Sequence, residues 1–182
     1  MQRTVRIATL VLALTVLLGA GGMFAQQQAP WRGFLAEPSE RGERMFVSGK
    51  VVDKATGKPI SGAEVYVYQA DSKGIYGDSP RTPRMKATIY SRSDGYYEYV
   101  SIRPASYREE KEPNVMLPAH VHYVVYADGY KEWQGELVFE DDPLLTPEKR
   151  AEMEKDPYYI LRPIAKDAKG VWQVVADVGL GK

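Results

Sequence analysis

Residues Met45–Gln69 read MFVSGKVVDKATGKPISGAEVYVYQ, and this stretch indicates the fold class. Its first part, Met45–Asp53, is rich in apolar and β-branched residues and is typical of a strand. The next residues, Lys54–Pro59, include glycine and proline and predict a turn. Ala63–Gln69 then alternates between aliphatic residues and Glu or Tyr, which is the period of a strand with one buried face. The stretch therefore predicts two β-strands joined by a turn.

Similar patterns cover the rest of the chain. The further expected strands are 86–91, 96–102, 120–127, 136–139, 158–165 and 171–178. The first two flank Ser93-Asp94-Gly95 and the last two flank Asp167–Gly170, so each of these pairs is expected to form a hairpin. Thr146-Pro147-Glu148 has the cap, proline and early acid of a helix start and predicts a helix over Pro147–Lys155. We therefore expect an all-β fold, an antiparallel β-sandwich with one short C-terminal helix and long active-site loops such as 71–84.

The amino-acid composition of the chain excludes several classes of function. The 182 residues include 24 basic and 24 acidic side chains without a basic stripe, so nucleic acid is not an expected partner. The sequence has no cysteine, which excludes thiolate ligands and thiol nucleophiles. Any metal ion must therefore be held by nitrogen and oxygen atoms.

The N-terminal residues are typical of a targeting segment. Arg3 and Arg6 precede an apolar run, Ile7–Leu18, which is shorter than the roughly 20 residues that a spanning helix needs. We expect Sec-type export to the periplasm or the medium with no membrane contact after cleavage near residue 25; an uncleaved anchor is the alternative. Trp31 is a candidate contact for a homo-oligomer. The expected organisation is a signal peptide at 1–25, an extended N-terminal arm at 26–44 and a β-sandwich domain at 45–182.

The two histidines of the chain form a candidate metal site. His120 and His122 lie two residues apart in a predicted strand. Side chains at i and i+2 project from the same face of a strand, so both imidazoles can reach one metal ion. A pair of strand-edge histidines packed beside Tyr123 explains the same spacing without a metal. Spacing alone leaves both interpretations open.

Tyrosine supplies further candidate ligands, because phenolate oxygen beside imidazole nitrogen suits iron(III). Among the 13 tyrosines, Tyr76 and Tyr107 lie in predicted loops, where a side chain is freer to be aimed at a site. Tyrosines in alternating strand patterns are explained as sheet or core residues; these are Tyr66, Tyr68, Tyr97, Tyr99 and Tyr126. The residues alone favour the two loop tyrosines only weakly.

Seven short motifs follow one another along the chain. They are GKVVD (49–53), GKPISGA (57–63), QADSKGIY (69–76), SDGYY (93–97), IRPASY (102–107), PAHVH (118–122) and FEDDPL (139–144). Together, from about Val47 to Leu145, they resemble the catalytic domain of the intradiol ring-cleavage dioxygenases, the family of protocatechuate- and catechol-cleaving ferric enzymes. The resemblance implies that one Fe(3+) is held by Tyr76, Tyr107, His120 and His122.

The resemblance also implies a reaction. A catechol-type aromatic would be cleaved between its two hydroxyls with O2, giving a muconate-type diacid. In the family pattern Tyr76 is the axial tyrosine, which leaves the metal to accept a substrate proton, and Tyr107 is the equatorial tyrosine, which stays bound. Both are therefore expected to be catalytic as well as metal-binding residues.

Three positions depart from the family pattern. Leu117 stands where the family has Arg before the histidine motif, Glu136 stands where it has Gln, and Arg108 with Glu109 replaces an aromatic–Arg pair. We expect Leu117, Glu136 and Arg108 to contact the substrate, and the first two changes argue against a strongly anionic one. The cations that can replace the missing charge are Arg81, Arg84, Arg103 and Arg108.

Two other function classes fit part of the pattern. The first hairpin and the Asp128-Gly129-Tyr130 turn also suit a non-catalytic binding module of the carboxypeptidase-regulatory or transthyretin-like type. The second class is a zinc or copper site with a hydrolytic or storage role. A carboxylate would then act as the third ligand, the candidates being Glu109, Glu110 and Glu136.

Overall fold

The computed structural model describes residues 30–77, 82–109, 112 and 114–182. In these residues the regular structure consists mainly of strands, with one short helix, α1 (Pro147–Met153). The strands are β1 (Arg32–Phe34), β2 (Arg44–Asp53), β3 (Glu64–Gln69), β4 (Met85–Tyr90), β5 (Tyr96–Ile102), β6 (Tyr107–Arg108), β7 (Met116–Leu117), β8 (His120–Tyr126), β9 (Trp133–Phe139), β10 (Tyr159–Arg162), β11 (Ala165–Lys166), β12 (Trp172–Val175) and β13 (Val178–Leu180). The prediction of a mostly β fold with one short helix is confirmed.

The strands form two large sheets and a small ribbon. The first sheet has the order β1-β5-β2-β12-β11, with β13 also paired to β2, and the second has the order β10-β9-β8-β3-β4. Strands β6 and β7 form the separate ribbon. Both large sheets are mixed, because β1 runs parallel to β5, β12 and β13 run parallel to β2, and β10 runs parallel to β9. The expectation of an antiparallel sandwich is therefore only partly correct, since alternation predicts which face is buried but not the direction of the neighbouring strand.

The hairpin predicted around Ser93-Asp94-Gly95 does not form as a pair of strands. The turn is present, but β4 pairs with β3 in the second sheet while β5 pairs with β2 in the first. Ile89 on β4 and Tyr97 on β5 are both fully buried, and they belong to one hydrophobic core. The turn therefore carries the chain from one sheet to the other.

The hairpin predicted between residues 158–165 and 171–178 forms only in part. Strand β11 pairs with β12 in the antiparallel sense across the turn at Asp167–Gly170. Strand β10, expected to belong to the same hairpin, instead joins the second sheet beside β9. The helix begins as predicted, with Thr146 accepting a hydrogen bond from the Lys149 amide and Pro147 in the first turn, and it ends at Met153.

One core joins the two large sheets. Val47 and Tyr99 of the first sheet and Val65, Tyr123 and Leu137 of the second are at most 1% exposed and share a hydrophobic cluster. A buried hydrogen bond of 2.7 Å connects the Tyr99 and Tyr123 hydroxyls. Each such side chain stabilises the fold by about 1.5–3 kcal/mol relative to an exposed one. The side chains on one face of β8 are therefore packed into this core.

The N-terminal arm contributes a strand to the first sheet. Strand β1 lies within the stretch 26–44 and pairs with β5, and Leu35 and Ala36 after it are buried. The Trp31 ring packs 6.0 Å from the Tyr96 ring. The expected signal peptide lies outside the described residues. No helix in the described part of the chain has the length and apolar character needed to cross a membrane.

Candidate metal centre

Strand β8 presents both histidines on the face that points away from the core. Val121, Tyr123 and Val125 fill the inner face and are at most 1% exposed. His120 and His122 lie on the opposite face, as the strand period requires. His120 is nevertheless 3% exposed, which shows that chain segments outside the sheet cover this end of it.

A loop carries Tyr76 to this face, whereas Tyr107, expected in a loop, begins the short strand β6. Tyr76 lies in the loop after β3, and the Asp71 carboxylate shapes that loop by accepting from the Lys73 and Ile75 amides at 2.8 and 3.0 Å. Gly74 has φ +80°, and a Cβ there would lie 2.8 Å from the Cβ of Tyr107. Glycine therefore allows the Tyr76 loop to pass directly against the segment that carries Tyr107.

The four side chains predicted from the sequence meet at one point. The Tyr76 hydroxyl lies 3.0 Å from the Tyr107 hydroxyl, which lies 3.0 Å from Nε2 of His120. That nitrogen lies 3.1 Å from Nε2 of His122, which lies 2.9 Å from the Tyr76 hydroxyl. Two oxygen and two nitrogen atoms thus form a closed ring, although neighbouring residues in it are separated by 2 to 46 positions in the chain.

The orientation of the imidazoles leaves two lone pairs facing each other. Nδ1 of His120 lies 2.7 Å from the Pro118 carbonyl, which can only accept, so the neutral imidazole carries its proton on Nδ1 and a lone pair on Nε2. Nδ1 of His122 lies 3.4 Å from the Glu136 carboxylate, which favours the same tautomer. Lone pairs on two nitrogen atoms 3.1 Å apart repel each other, and this repulsion is offset either by hydrogen bonds from the Tyr76 and Tyr107 hydroxyls or by a cation near both nitrogens.

Burial favours the neutral forms of Tyr76, Tyr107 and His122 in the absence of a cation. Burial raises the pKa of the Tyr107 phenol to about 12. The pKa of Tyr76 is raised further, first by burial and then by its contact with Tyr107. Burial, followed by the neighbouring charge of His120, lowers the pKa of His122 to about 3. A metal ion that binds here must therefore displace phenol protons, and its affinity will increase with pH.

The donor set fits a metal ion. A symmetric ring with edges of this length has its centre about 2 Å from each corner, which matches the usual metal–nitrogen and metal–oxygen bond lengths. Phenolate oxygen and imidazole nitrogen suit iron(III), and the chain offers no thiolate. The residues that would hold the ion are Tyr76, Tyr107, His120 and His122.

The three predicted substrate contacts lie on strands next to this ring. Glu136 on β9 is opposite His122; it also accepts from the Tyr158 hydroxyl at 3.0 Å. Leu117 on β7 is half-buried and pairs with Tyr107. Arg108 is the exposed neighbour of Tyr107 on β6. Glu136 and Leu117 therefore border the candidate site most closely.

The other arginines proposed as replacement cations are engaged elsewhere. Arg103 forms a bidentate salt bridge with Asp141, with N–O distances of 2.8 and 2.7 Å, and its guanidinium lies over the Trp172 ring. Arg84 pairs with Glu40. Arg81 lies outside the described residues. Neither Arg84 nor Arg103 is thus a ready substitute for the arginine that Leu117 replaces.

Sequence reasoning missed the role of Tyr68. The strand pattern explains it as a sheet or core residue, yet its ring stacks on the His122 imidazole with centroids 4.5 Å apart and planes 12° apart. The register explains this contact, because Tyr68 on β3 lies directly opposite His122 on β8. The alternating VYVY pattern placed Tyr68 on an outer face, but only strand pairing identifies its neighbour.

The fold is mostly β, and two phenols and two imidazoles meet at the outer face of one sheet. These features define a class of β protein with an oxygen and nitrogen donor set able to hold one metal ion. A family model described as Dioxygenase matches residues 22–171. The chain therefore belongs to the intradiol ring-cleavage dioxygenase family. This assignment gives no support to the non-catalytic binding module.

Curated relatives agree with the family. A catechol 1,2-dioxygenase of Pseudomonas sp. (strain EST1001) is 34% identical over 121 residues, covering 59% of this chain and 40% of the relative. A protocatechuate 3,4-dioxygenase beta chain of Burkholderia cepacia is 31% identical, covering 58% and 48%. A chlorocatechol 1,2-dioxygenase of Rhodococcus opacus is 32% identical, covering 75% and 58%. The chain thus spans about half the length of the curated relatives it matches.

Solved structures share the fold. Catechol 1,2-dioxygenase from Acinetobacter sp. ADP1 superposes with a TM-score of 0.67 at 22% identity, covering 85% of this chain and 59% of that one. The dioxygenase domain of a dioxygenase carbohydrate-binding protein fusion from Streptomyces sp. SirexAA-E superposes with a TM-score of 0.62 at 20% identity, covering 88% and 94%. At these identities the likeness concerns the fold alone.

Proposed function

We propose that this protein is a ferric intradiol dioxygenase that cleaves a catechol-type aromatic between its two hydroxyls with O2, giving a muconate-type diacid. The observation that carries the proposal is the closed ring of Tyr76, Tyr107, His120 and His122, with edges of 2.9–3.1 Å. Family membership supports the same reaction class.

Each ring residue has a distinct task in this proposal. When bound, iron(III) acts as a Lewis acid that makes a coordinated catechol reactive toward O2. His120 is held in one tautomer by the Pro118 carbonyl, and His122 is held in plane by the stacked Tyr68 ring. Both are therefore suited to orient the ion without changing their own protonation.

The surroundings of the two tyrosines support different roles for them. Tyr76 lies on a loop and is 6% exposed, and its raised pKa makes its phenolate a strong base. The Tyr76 oxygen would accept a proton from a catechol hydroxyl when the substrate binds. Tyr107 starts a strand that pairs with β7, so this strand would keep its side chain in place as a ligand of the ion.

Charge around the ring favours a neutral catechol as substrate. Glu136 places a carboxylate oxygen 3.4 Å from Nδ1 of His122, and Leu117 supplies an apolar side chain next to Tyr107. A carboxylated catechol would bring a second negative charge toward Glu136, which is unfavourable in a partly buried site. We expect catechol or hydroxyquinol to be preferred over protocatechuate, and Glu136→Gln to reduce that preference.

The central test measures metal content, colour and oxygen uptake on the full chain. We expect about one iron per chain, a visible tyrosinate-to-iron absorption band, and O2 consumption with at least one of catechol, hydroxyquinol and protocatechuate. Tyr107→Phe should lose the band and most of the iron. Tyr126→Phe is the matched control, because Tyr126 is 49% exposed and its hydroxyl only contacts Asp128 in the described structure.

Three outcomes would overturn the proposal. Stoichiometric iron without colour, or a Tyr107→Phe variant with unchanged iron and colour, contradicts the ligand assignment. Stoichiometric zinc or copper instead supports the other metal class, for which His120, His122 and Glu136 offer a group of ligand atoms within 4.8 Å of one another.

We also propose that the protein acts outside the cytoplasm. The proposal rests on the charged and apolar N-terminal pattern of residues 1–25. Mass spectrometry of protein recovered from the periplasm or the medium should give a chain that begins near residue 26. Recovery of the uncleaved chain in the membrane fraction would support an anchor instead.

A further inference from the structure

The turn after β9 contains a buried carboxylate that the proposed chemistry does not use. Asp142 is 5% exposed, and its Oδ2 accepts from the backbone amide of Ala119 at 2.7 Å and from the Ser106 hydroxyl at 3.2 Å. Its Oδ1 accepts from the Leu144 amide at 2.9 Å. Three donors therefore converge on one side chain.

Two of these donors come immediately before proposed metal ligands. Ala119 precedes His120, and Ser106 precedes Tyr107. The next residues on each segment meet in the ligand ring, where the Tyr107 hydroxyl lies 3.0 Å from Nε2 of His120. One carboxylate oxygen, Oδ2 of Asp142, thus bonds both to the residue before Tyr107 and to the residue before His120.

We propose that Asp142 is a positioning residue that sets the spacing between Tyr107 and His120. The inference rests on the proposed metal site and adds a residue outside its ligands. Hydrogen bonds to a carboxylate are stronger than bonds between neutral groups. The bonds to Ala119 and Ser106 therefore fix the two backbone segments relative to each other without touching the metal.

The chemistry of the three donors requires a carboxylate rather than an amide. All three partners donate hydrogen to Asp142, and a carboxylate accepts at both oxygens. An asparagine accepts at one atom only, so its amide group would face either the Leu144 amide or the Ala119 amide. Asp142→Asn therefore leaves at least one buried donor unpaired.

The chain offers a matched control at the adjacent position. Asp141 is also a carboxylate with charged hydrogen bonds, but it pairs with Arg103 at the surface. Asp141→Asn removes the same charge and leaves the three hydrogen bonds to Asp142 in place. Ser106→Ala removes only one of the three bonds to Asp142, so it is expected to fold even if the Asp142 variants do not.

The test compares the wild-type chain with Asp142→Asn, Ser106→Ala and Asp141→Asn. Iron affinity should fall about 10–100-fold in Asp142→Asn, the range found for residues that orient metal ligands, and by less in Ser106→Ala. The visible band should shift in both and should not move in Asp141→Asn. Equal effects of Asp142→Asn and Asp141→Asn, or a lowered Tm with unchanged iron affinity and band, would refute a positioning role.

A metal-free measurement separates this inference from the proposed function. The sequence has two histidines, so nitrogen NMR of the metal-free protein resolves two imidazoles. The His120 signals should change in Asp142→Asn and Ser106→Ala and stay unchanged in Asp141→Asn. If the wild type binds no iron, the proposed function fails while this comparison still decides the role of Asp142; unchanged His120 signals in both variants contradict it.

Discussion

Gly74→Ala is the substitution that most directly tests how the two tyrosine segments are brought together. A Cβ at Gly74 would lie 2.8 Å from the Cβ of Tyr107 and 3.1 Å from the Ser106 carbonyl oxygen. The residue also has φ +80°, a conformation that alanine adopts only with strain. The substitution therefore combines a backbone cost with a steric conflict inside the candidate site.

The two contributions can be estimated separately. The left-handed backbone costs about 1–2 kcal/mol for a residue with a Cβ. For a domain of this size, about 1 kcal/mol lowers Tm by roughly 2–4 °C, so strain alone should lower it by roughly 2–8 °C. The steric conflict requires Tyr107 to move by about 0.6 Å to reach ordinary contact, and a shift of about 1 Å can cost roughly 100-fold in a preorganised site. We expect iron affinity and O2 uptake to fall about tenfold.

Gly129→Ala is the matched control. Gly129 has φ +81°, and nothing lies within 4 Å of the position of its Cβ. It should show the Tm loss caused by strain and no change in iron binding. Thermal unfolding followed by circular dichroism, with iron titration followed by visible absorbance, measures both quantities. If the two variants lose the same Tm and both keep full iron affinity, the steric argument is wrong.

Three further expectations concern residues around and away from the site. Tyr123→Phe breaks a buried phenol–phenol bond of 2.7 Å and should destabilise the fold by about 1–3 kcal/mol in denaturant unfolding, with unchanged iron content. Tyr68→Leu removes the ring stacked on His122 and should weaken iron binding in a titration while leaving Tm within a few degrees. The Arg92 hydrogen bond lowers the pKa of Asp94 to about 2, so the stabilisation that it provides is present above the unfolded pKa of 3.8 and is lost as pH falls through 2. In Arg92→Gln, an NMR titration should show the pKa of Asp94 moving up toward 3.8.

The histidine pair shows what local pattern can predict. A separation of two residues in a strand requires His120 and His122 to share a face, and the structure places both opposite the buried Val121. The tyrosines are different, because no local rule connects Tyr76 to a partner 46 residues away. Their proposed place beside the histidines came from the resemblance to a family, not from periodicity.

The sheet order shows where local pattern fails. The Asp94-Gly95 turn is a strong local signal for a hairpin, yet it joins strands of different sheets. Turn chemistry specifies a chain reversal within a few residues, whereas the partner of each strand depends on which faces can be buried together. The parallel pairing of β10 with β9 has the same origin.

The sequence by itself determined that the chain is mostly β, that its two histidines project from one strand face, and that a metal site would use nitrogen and oxygen atoms. These properties follow from side-chain period and composition, which are local. Only the tertiary structure decided that Tyr68 stacks on His122 and that Asp142 joins the segments before Tyr107 and His120. Contacts of this kind depend on packing between distant segments, because hydrogen-bond and stacking distances are set by the backbone around a shared core and not by spacing along the chain.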